Sequence, residues 1–461
     1  MSMDETFLGW RPRQLASEGP RYLALVNALE QDIAEGRLSD GDRLPAHRDL
    51  ARELGLSVGT VSKAYQEAEQ RGIVSGHVGQ GTFVRRRTVA RNEAARHEPV
   101  NLGLNVPVEG NETQILSALF GEIVRERDLA PLLRYHPHAG IWKHREIIAA
   151  SLSDSSFTLE PGRLFLCNGA QHAIDISLRL VAKPGDSILV DALTYSGFKA
   201  IAAASHLNLV PVEMDEEGMD PTALKQVGRA SGARILYCMP TLQSPTARTM
   251  SVARRRRIAE LAEELDLSVI EDDVYSFFFP ERPVPIASLA PGRTFYVTSY
   301  SKCVAPGFRL GTLTVPAAYT GQAELLLHAS AWFVAPVISE AAVRLIENGK
   351  LDELLRERRR QALERYRVFL EVFPEAPELQ FPAFYAWLPL PPKWSADQFA
   401  AAARGRGIYV TPPIASAVGD GNPVSVRICL GAPKDLIELS DVLRTLREIL
   451  GRHPLNVVSV A

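Results

Sequence analysis

The chain has 461 residues, too many for one ordinary core, so its length points to two or three domains. Hydrophobic residues at 46%, charged residues at 23% and a formal charge of -3 fit a globular protein and name no partner by themselves. Scattered Cys167, Cys238, Cys303 and Cys429 argue against a disulfide framework or a zinc cluster and suit a reducing cytoplasm; neither an export signal nor an apolar run of about 18 residues is evident.

In chain order, Tyr22, Leu25, Val26, Leu29 and Ile33 recur at helical spacing, and Gly36 follows as a stop. A turn through Pro45 leads to a short helix from His47 to Leu54, ended by Gly55. Ser57 is placed to cap a third helix, Val58 to Arg71, by accepting a hydrogen bond from a backbone N–H near Thr60. On that helix Val61, Ala64, Tyr65 and Ala68 form the apolar stripe, leaving Thr60, Lys63 and Glu67 on the other face. Two helices around a tight Gly turn, the second with small polar and basic groups near its start, suit a DNA major groove. Two short strands, through Ile73-Val74-Ser75 and Gly81-Thr82-Phe83-Val84, would make a glycine-rich hairpin, or wing. Basic and acidic residues nearly balance over 1–92, which leaves a protein-interaction module as the alternative.

The run GDRLPAHRDLARELGLSVGTVSKAYQEAEQRGIVSGHVGQGTFV resembles the DNA-binding signature of the GntR family almost end to end. The resemblance implies that Arg43, Arg48, Ser57, Thr60, Lys63 and the wing at Gly79 lie against DNA. Ala68 departs from the pattern, which usually carries a larger aliphatic residue there. Residues 1–84 are thus expected to form a winged helix-turn-helix and 85–99 a linker. The triplet Arg85-Arg86-Arg87 fits phosphate contact and plain solvation equally well.

From about Asn101 short apolar strands alternate with amphipathic helices: Leu164 to Cys167, Ser187 to Val190, Ile235 to Cys238, Ser268 to Ile270, Thr294 to Thr298 and Leu310 to Val315. That alternation predicts a mostly parallel sheet wrapped by helices, with ligands gathered at the carboxyl ends of the strands. Polar residues stand at those ends. Asn168-Gly169-Ala170-Gln171 precedes an apolar helix, a place where phosphate is stabilised; Tyr195 could stack on a ring or be core. Asp272 and Tyr275 follow one strand, and Ser299-Tyr300-Ser301-Lys302 follows another, with Arg309 beyond. Arg427 sits inside an apolar strand, where a guanidinium needs an anion, either a ligand or a buried carboxylate.

A lysine amine, a carboxylate and phosphate donors are what pyridoxal 5'-phosphate (PLP) demands. In this order they resemble the fold-type-I PLP aminotransferases, over about Asn101 to Leu450, and fusion behind a GntR-type head looks like the MocR subgroup of regulators. The resemblance implies an α/β protein: a winged helix-turn-helix, then an aminotransferase-like domain over 100–455, with a smaller α+β subdomain from about 320. It implies that Lys302 forms the Schiff base with PLP, Asp272 pairs with the ring nitrogen, Tyr275 bonds the ring hydroxyl and Tyr195 stacks on the ring. It gives Ala170, Gln171, Ser299 and Arg309 to the phosphate, Gly169, Ser244 and Ser301 to the cofactor's surroundings, and Arg427 to a ligand carboxylate. Tyr135 is implied to reach the cofactor of a partner subunit, hence a homodimer on double-stranded DNA. In Met239 to Arg248 the family normally has asparagine where Ser244 stands; the shorter hydroxyl makes turnover less secure than binding. Two functions follow: a regulator that senses PLP or an amino compound through Schiff-base exchange, or a working aminotransferase with an appended head.

Overall fold

The computed structural model describes residues 9–13, 20–34, 37–38, 42–70, 73–77, 81–84, 99–125, 129–419, 421 and 423–452. The chain divides into two units, Met1–His97 and Glu98–Ala461.

In the first unit the helices are Arg21–Ala34, His47–Leu54 and Val58–Gln70, followed by an antiparallel pair, Val74–His77 with Gly81–Val84. The apolar stripes meet in one core of Leu25, Val26, Leu29, Leu50, Val61, Ala64, Tyr65 and Ala68, closed by Val74 and Val84 from the strands. Each large aliphatic side chain removed from water there contributes roughly 1.5–3 kcal/mol. Gly55 ends the second helix in the left-handed conformation (φ 63°), its N–H turned back to Ala51 and Arg52 carbonyls. Ala68 is wholly buried, so the small side chain at this position is packed rather than exposed.

The second unit is built on a seven-stranded sheet in the order Leu164–Cys167, Gly311–Thr314, Thr294–Ser299, Ser268–Asp272, Ile235–Cys238, Ser187–Asp191 and Asn208–Val212. Gly311–Thr314 runs antiparallel to both its neighbours; the other pairings are parallel. Five of these strands carry almost unbroken buried apolar runs, as a sheet covered on both faces requires. Asn208–Val212 escapes the sequence reading because it is an edge strand: only Val212 is buried, the rest being exposed or half-buried, and it carries Pro211.

A second core lies around the antiparallel pair Tyr385–Pro389 and Ser425–Cys429, covered by the helices Lys350–Val372, Ala396–Gly405 and Leu436–Gly451. Phe369, Phe373, Trp394, Phe399, Ile428 and Leu443 fill it. It also takes in the start of the unit: Val100–Asn101 pairs in parallel with Ile408–Tyr409, and Leu102 is buried in the same cluster. The smaller subdomain therefore draws on both ends of the unit. The preceding helix, Pro336–Glu347, instead packs Ala341, Ala342 and Leu345 beside Leu119, Ile148 and Leu164.

Candidate functional site

In the large unit one cavity of about 350 Å³ opens where the strand ends converge. Of the residues expected from sequence, Ala170, Gln171, Tyr195, Ser244, Asp272, Tyr275, Ser299, Ser301, Lys302, Arg309 and Arg427 all line it. Gly169 lies directly behind, and a Cβ there would meet the Arg309 guanidinium at 2.6 Å. Tyr135 does not line this cavity; it is 84% exposed, beside the rings of Trp332 and Phe333.

Asp272 ends the central strand Ser268–Asp272 and is buried. Its Oδ2 accepts from the Tyr237 hydroxyl at 2.9 Å, whereas Oδ1 has no hydrogen-bond partner. Burial pushes its carboxyl up to about 7, against the opposing pull of the Tyr237 hydroxyl and the Val274 N–H. Burial likewise lowers the Lys302 ammonium to about 8; its Nζ donates to the Asn105 carbonyl at 2.6 Å. An amine shifted in this direction loses its proton more readily than a free lysine, which favours a nucleophilic role. The Tyr275 phenol, pushed far up by burial, accepts from Asn105 Nδ2 at 2.6 Å.

At the other end of the cavity the helix Ala170–Val181 presents its N-terminus. Gly169 (φ 85°) precedes it, and Gly311 is just as constrained: a Cβ there would come within 2.6 Å of Gly169 carbon and 2.8 Å of the Ala170 nitrogen. Arg309, in the left-handed conformation (φ 48°), donates from Nη2 to the Asn168 carbonyl at 3.1 Å. Ser299 and Ser301 are linked hydroxyl to hydroxyl at 3.2 Å. Free N–H groups, a guanidinium and two hydroxyls make an anion-binding end.

Arg427, 8% exposed, projects from Ser425–Cys429. Nη2 donates to the Gly103 carbonyl at 2.8 Å, Nη1 reaches Ser244 Oγ at 3.4 Å, and Nε is buried without a partner. No carboxylate among the described residues pairs with it, which removes the buried-carboxylate alternative. Sequence reasoning missed Gly103, Leu104 and Asn105, which line the same cavity from an irregular segment, and Tyr237, which reads as strand core.

In the first unit Ser57 Oγ accepts from the Thr60 N–H at 3.1 Å and sits 2.8 Å from the Thr60 hydroxyl. Arg43, Arg48, Ser57 and Lys63 are exposed and Thr60 half-buried; Lys63 Nζ lies 4.1 Å above the Tyr22 ring. Gly79 lies outside the described residues.

The family described as "Aminotransferase class I and II" matches residues 97–444, and "Bacterial regulatory proteins, gntR family" matches residues 21–84. An uncharacterized HTH-type transcriptional regulator, YdeF, of Bacillus subtilis is 31% identical over 451 residues, covering 96% of this chain and 97% of that protein. The probable rhizopine catabolism regulatory protein MocR of Rhizobium meliloti is 26% identical over 381 residues, 76% of each. Among solved structures, the multiple substrate aminotransferase of Thermococcus profundus superposes with a TM-score of 0.69 at 23% identity, over 78% of this chain and 93% of that one. A kynurenine aminotransferase of Pyrococcus horikoshii, solved with PMP, gives the same score and identity over 77% and 91%.

The cofactor of this fold is PLP, and the cavity fits it. Asp272 Oδ1 is a buried acceptor awaiting a donor, the two glycines leave a cradle that a Cβ would fill, and Lys302 lines the same cavity. A helix-turn-helix head and an aminotransferase domain on one chain, matched end to end by a transcriptional regulator, place this protein in the gntR family, in its MocR-type subgroup.

Proposed function

We propose that the protein is a DNA-binding transcription regulator whose aminotransferase-like domain senses PLP, an amino compound, or both, and that it works as a homodimer in the cytoplasm. One observation carries the sensing part: a buried lysine amine, an unpartnered buried carboxylate oxygen and an arginine without a carboxylate share one cavity. When bound, PLP supplies an aldehyde that takes up either the Lys302 amine or a ligand amine, and a ring that withdraws electrons.

Asp272 would hold the proton of the ring nitrogen, Tyr275 would donate to the ring hydroxyl oxygen, and Tyr195 would lie against the ring. Gly169, Ala170, Gln171, Ser299, Ser301 and Arg309 would hold the phosphate, with Tyr135 of the second copy completing it. Ser244 would contribute a hydroxyl beside Arg427, and Arg427 would clamp a ligand carboxylate. In the head Arg43, Arg48, Ser57, Thr60, Lys63 and Gly79 would contact DNA, phosphate contacts setting the register and the third helix reading bases.

A response to ligand needs groups that differ between the empty and filled site. Lys302 and Arg427 both donate to backbone carbonyls of one segment, Asn105 and Gly103, which follows closely on Glu98, where the large unit begins. A ligand that draws either donor away releases that carbonyl. Four buried free thiols support a cytoplasmic setting.

The test is an absorbance titration of the PLP-loaded protein with amines and amino acids, paired with DNA affinity measured on duplexes selected from a random pool. The expected result is a compound that changes the visible spectrum and shifts DNA affinity together. A spectral change with DNA affinity unmoved across the whole panel would overturn the sensing reading. The complete Lys302, Asp272, Tyr275 and Arg427 set favours transamination as the second reading, which predicts sustained keto-acid production at enzyme-like rates.

A further inference from the structure

Asn105 stands out among the cavity residues because one residue touches two reactive groups. Its side-chain Nδ2 donates to the Tyr275 phenolic oxygen at 2.6 Å, and its backbone carbonyl accepts from Lys302 Nζ at 2.6 Å. It arrives from the irregular stretch after Val100–Asn101, whereas Ser244 comes from the loop after Ile235–Cys238. Ser244 itself offers only a hydroxyl, and that hydroxyl is 3.4 Å from Arg427 Nη1.

A phenol has one proton and two lone pairs. With an amide N–H donated into the Tyr275 oxygen, the phenol proton must point elsewhere, and among the described residues no oxygen accepts it. Tyr275 is 5% exposed, packed beside Tyr385 and Phe278, so the direction left for that proton is the cavity it lines.

We propose that Asn105 is a positioning residue of the cofactor site: its amide orients the Tyr275 phenol as a donor toward the PLP ring hydroxyl, the task for which Ser244 is too short. This inference rests on the cofactor reading above. A donor aimed at the ring oxygen stabilises that oxygen's anion, so the proton on the visible chromophore formed with Lys302 comes off more easily. Losing the amide makes it harder to remove.

The experiment is a pH titration of the visible absorbance of PLP-loaded protein. Asn105→Ala is expected to move the midpoint to higher pH by roughly a tenfold change in proton concentration, the scale of one hydrogen bond to a charged group. Adding Ser244→Asn to that variant, which supplies an amide from a different loop of the same cavity, is expected to bring the midpoint back toward wild type. A purely structural role would give neither the shift nor the rescue. If Asn105→Ala does not fold, Asn105→Leu, similar in shape and without a donor, carries the same expectation. A wild-type chromophore with an unchanged midpoint in the folded variant overturns this inference alone. Wild-type protein that gives no visible band with PLP overturns the cofactor reading and this inference with it.

Discussion

Asp272 and Lys302 face one cavity, and burial works against the charge of each. The Asp272 carboxyl is raised to about 7, so the folded protein holds its proton more tightly than the unfolded chain does. The stability this gives is complete below the ordinary aspartate range and is lost as pH rises through about 7. Asp272→Asn keeps an acceptor for the Tyr237 hydroxyl and removes the buried charge. Cofactor-free Asp272→Asn protein is therefore expected to melt higher than wild type at pH 8, with the gap closing below pH 4, while its PLP affinity falls. Differential scanning fluorimetry across pH reads the first part, and a gap that widens toward acid would contradict the assignment. Arg427→Ala removes a guanidinium with no internal carboxylate, so its effect should fall on ligand carboxylates. The spectral response to amino acids is expected to weaken at least tenfold while PLP affinity changes little; equal losses in both would refute that division. Such residues are legible in sequence because a charged or reactive group at the end of an apolar run has few structural reasons to be there. Asn105 is not, since an irregular stretch has no period to say which way a side chain points, and Tyr237 is hidden by its apolar neighbours in the strand Ile235–Cys238.

The short elements of the head follow their local signals closely, because a cap and a stop decide where a helix of a few turns begins and ends. Ser57→Ala removes the acceptor of the Thr60 N–H and is expected to cost about 1 kcal/mol of head stability, read by urea unfolding of the full chain. In the large unit the apolar strands were legible, but the antiparallel course of Gly311–Thr314 was not: a strand buried along its whole length looks the same in either direction. That strand matters through its first residue. Gly311→Ala forces a methyl against the Gly169–Ala170 backbone, and overpacking of this kind costs about 1–3 kcal/mol. The backbone that gives way is the one at the phosphate end, so PLP affinity is expected to fall together with the melting temperature. A variant that melts lower and binds PLP as tightly as wild type would separate the strand from the site.

For the molecule as a whole, Tyr135 with Trp332 and Phe333 forms an aromatic patch outside its own chain's cavity. Sedimentation is expected to show a dimer. Tyr135→Ala should weaken PLP binding, and co-refolding it with Lys302→Ala subunits should restore one full-affinity site per mixed dimer. Failure of the mixture to recover any tight site would place Tyr135 outside the cofactor's surroundings.

The parallel pairing of Val100–Asn101 with Ile408–Tyr409 has a mechanical meaning. The opening strand of the large unit is stitched to the smaller subdomain rather than to the seven-stranded sheet. Any movement of that subdomain must carry this strand with it, like a rope made fast to the door instead of the frame.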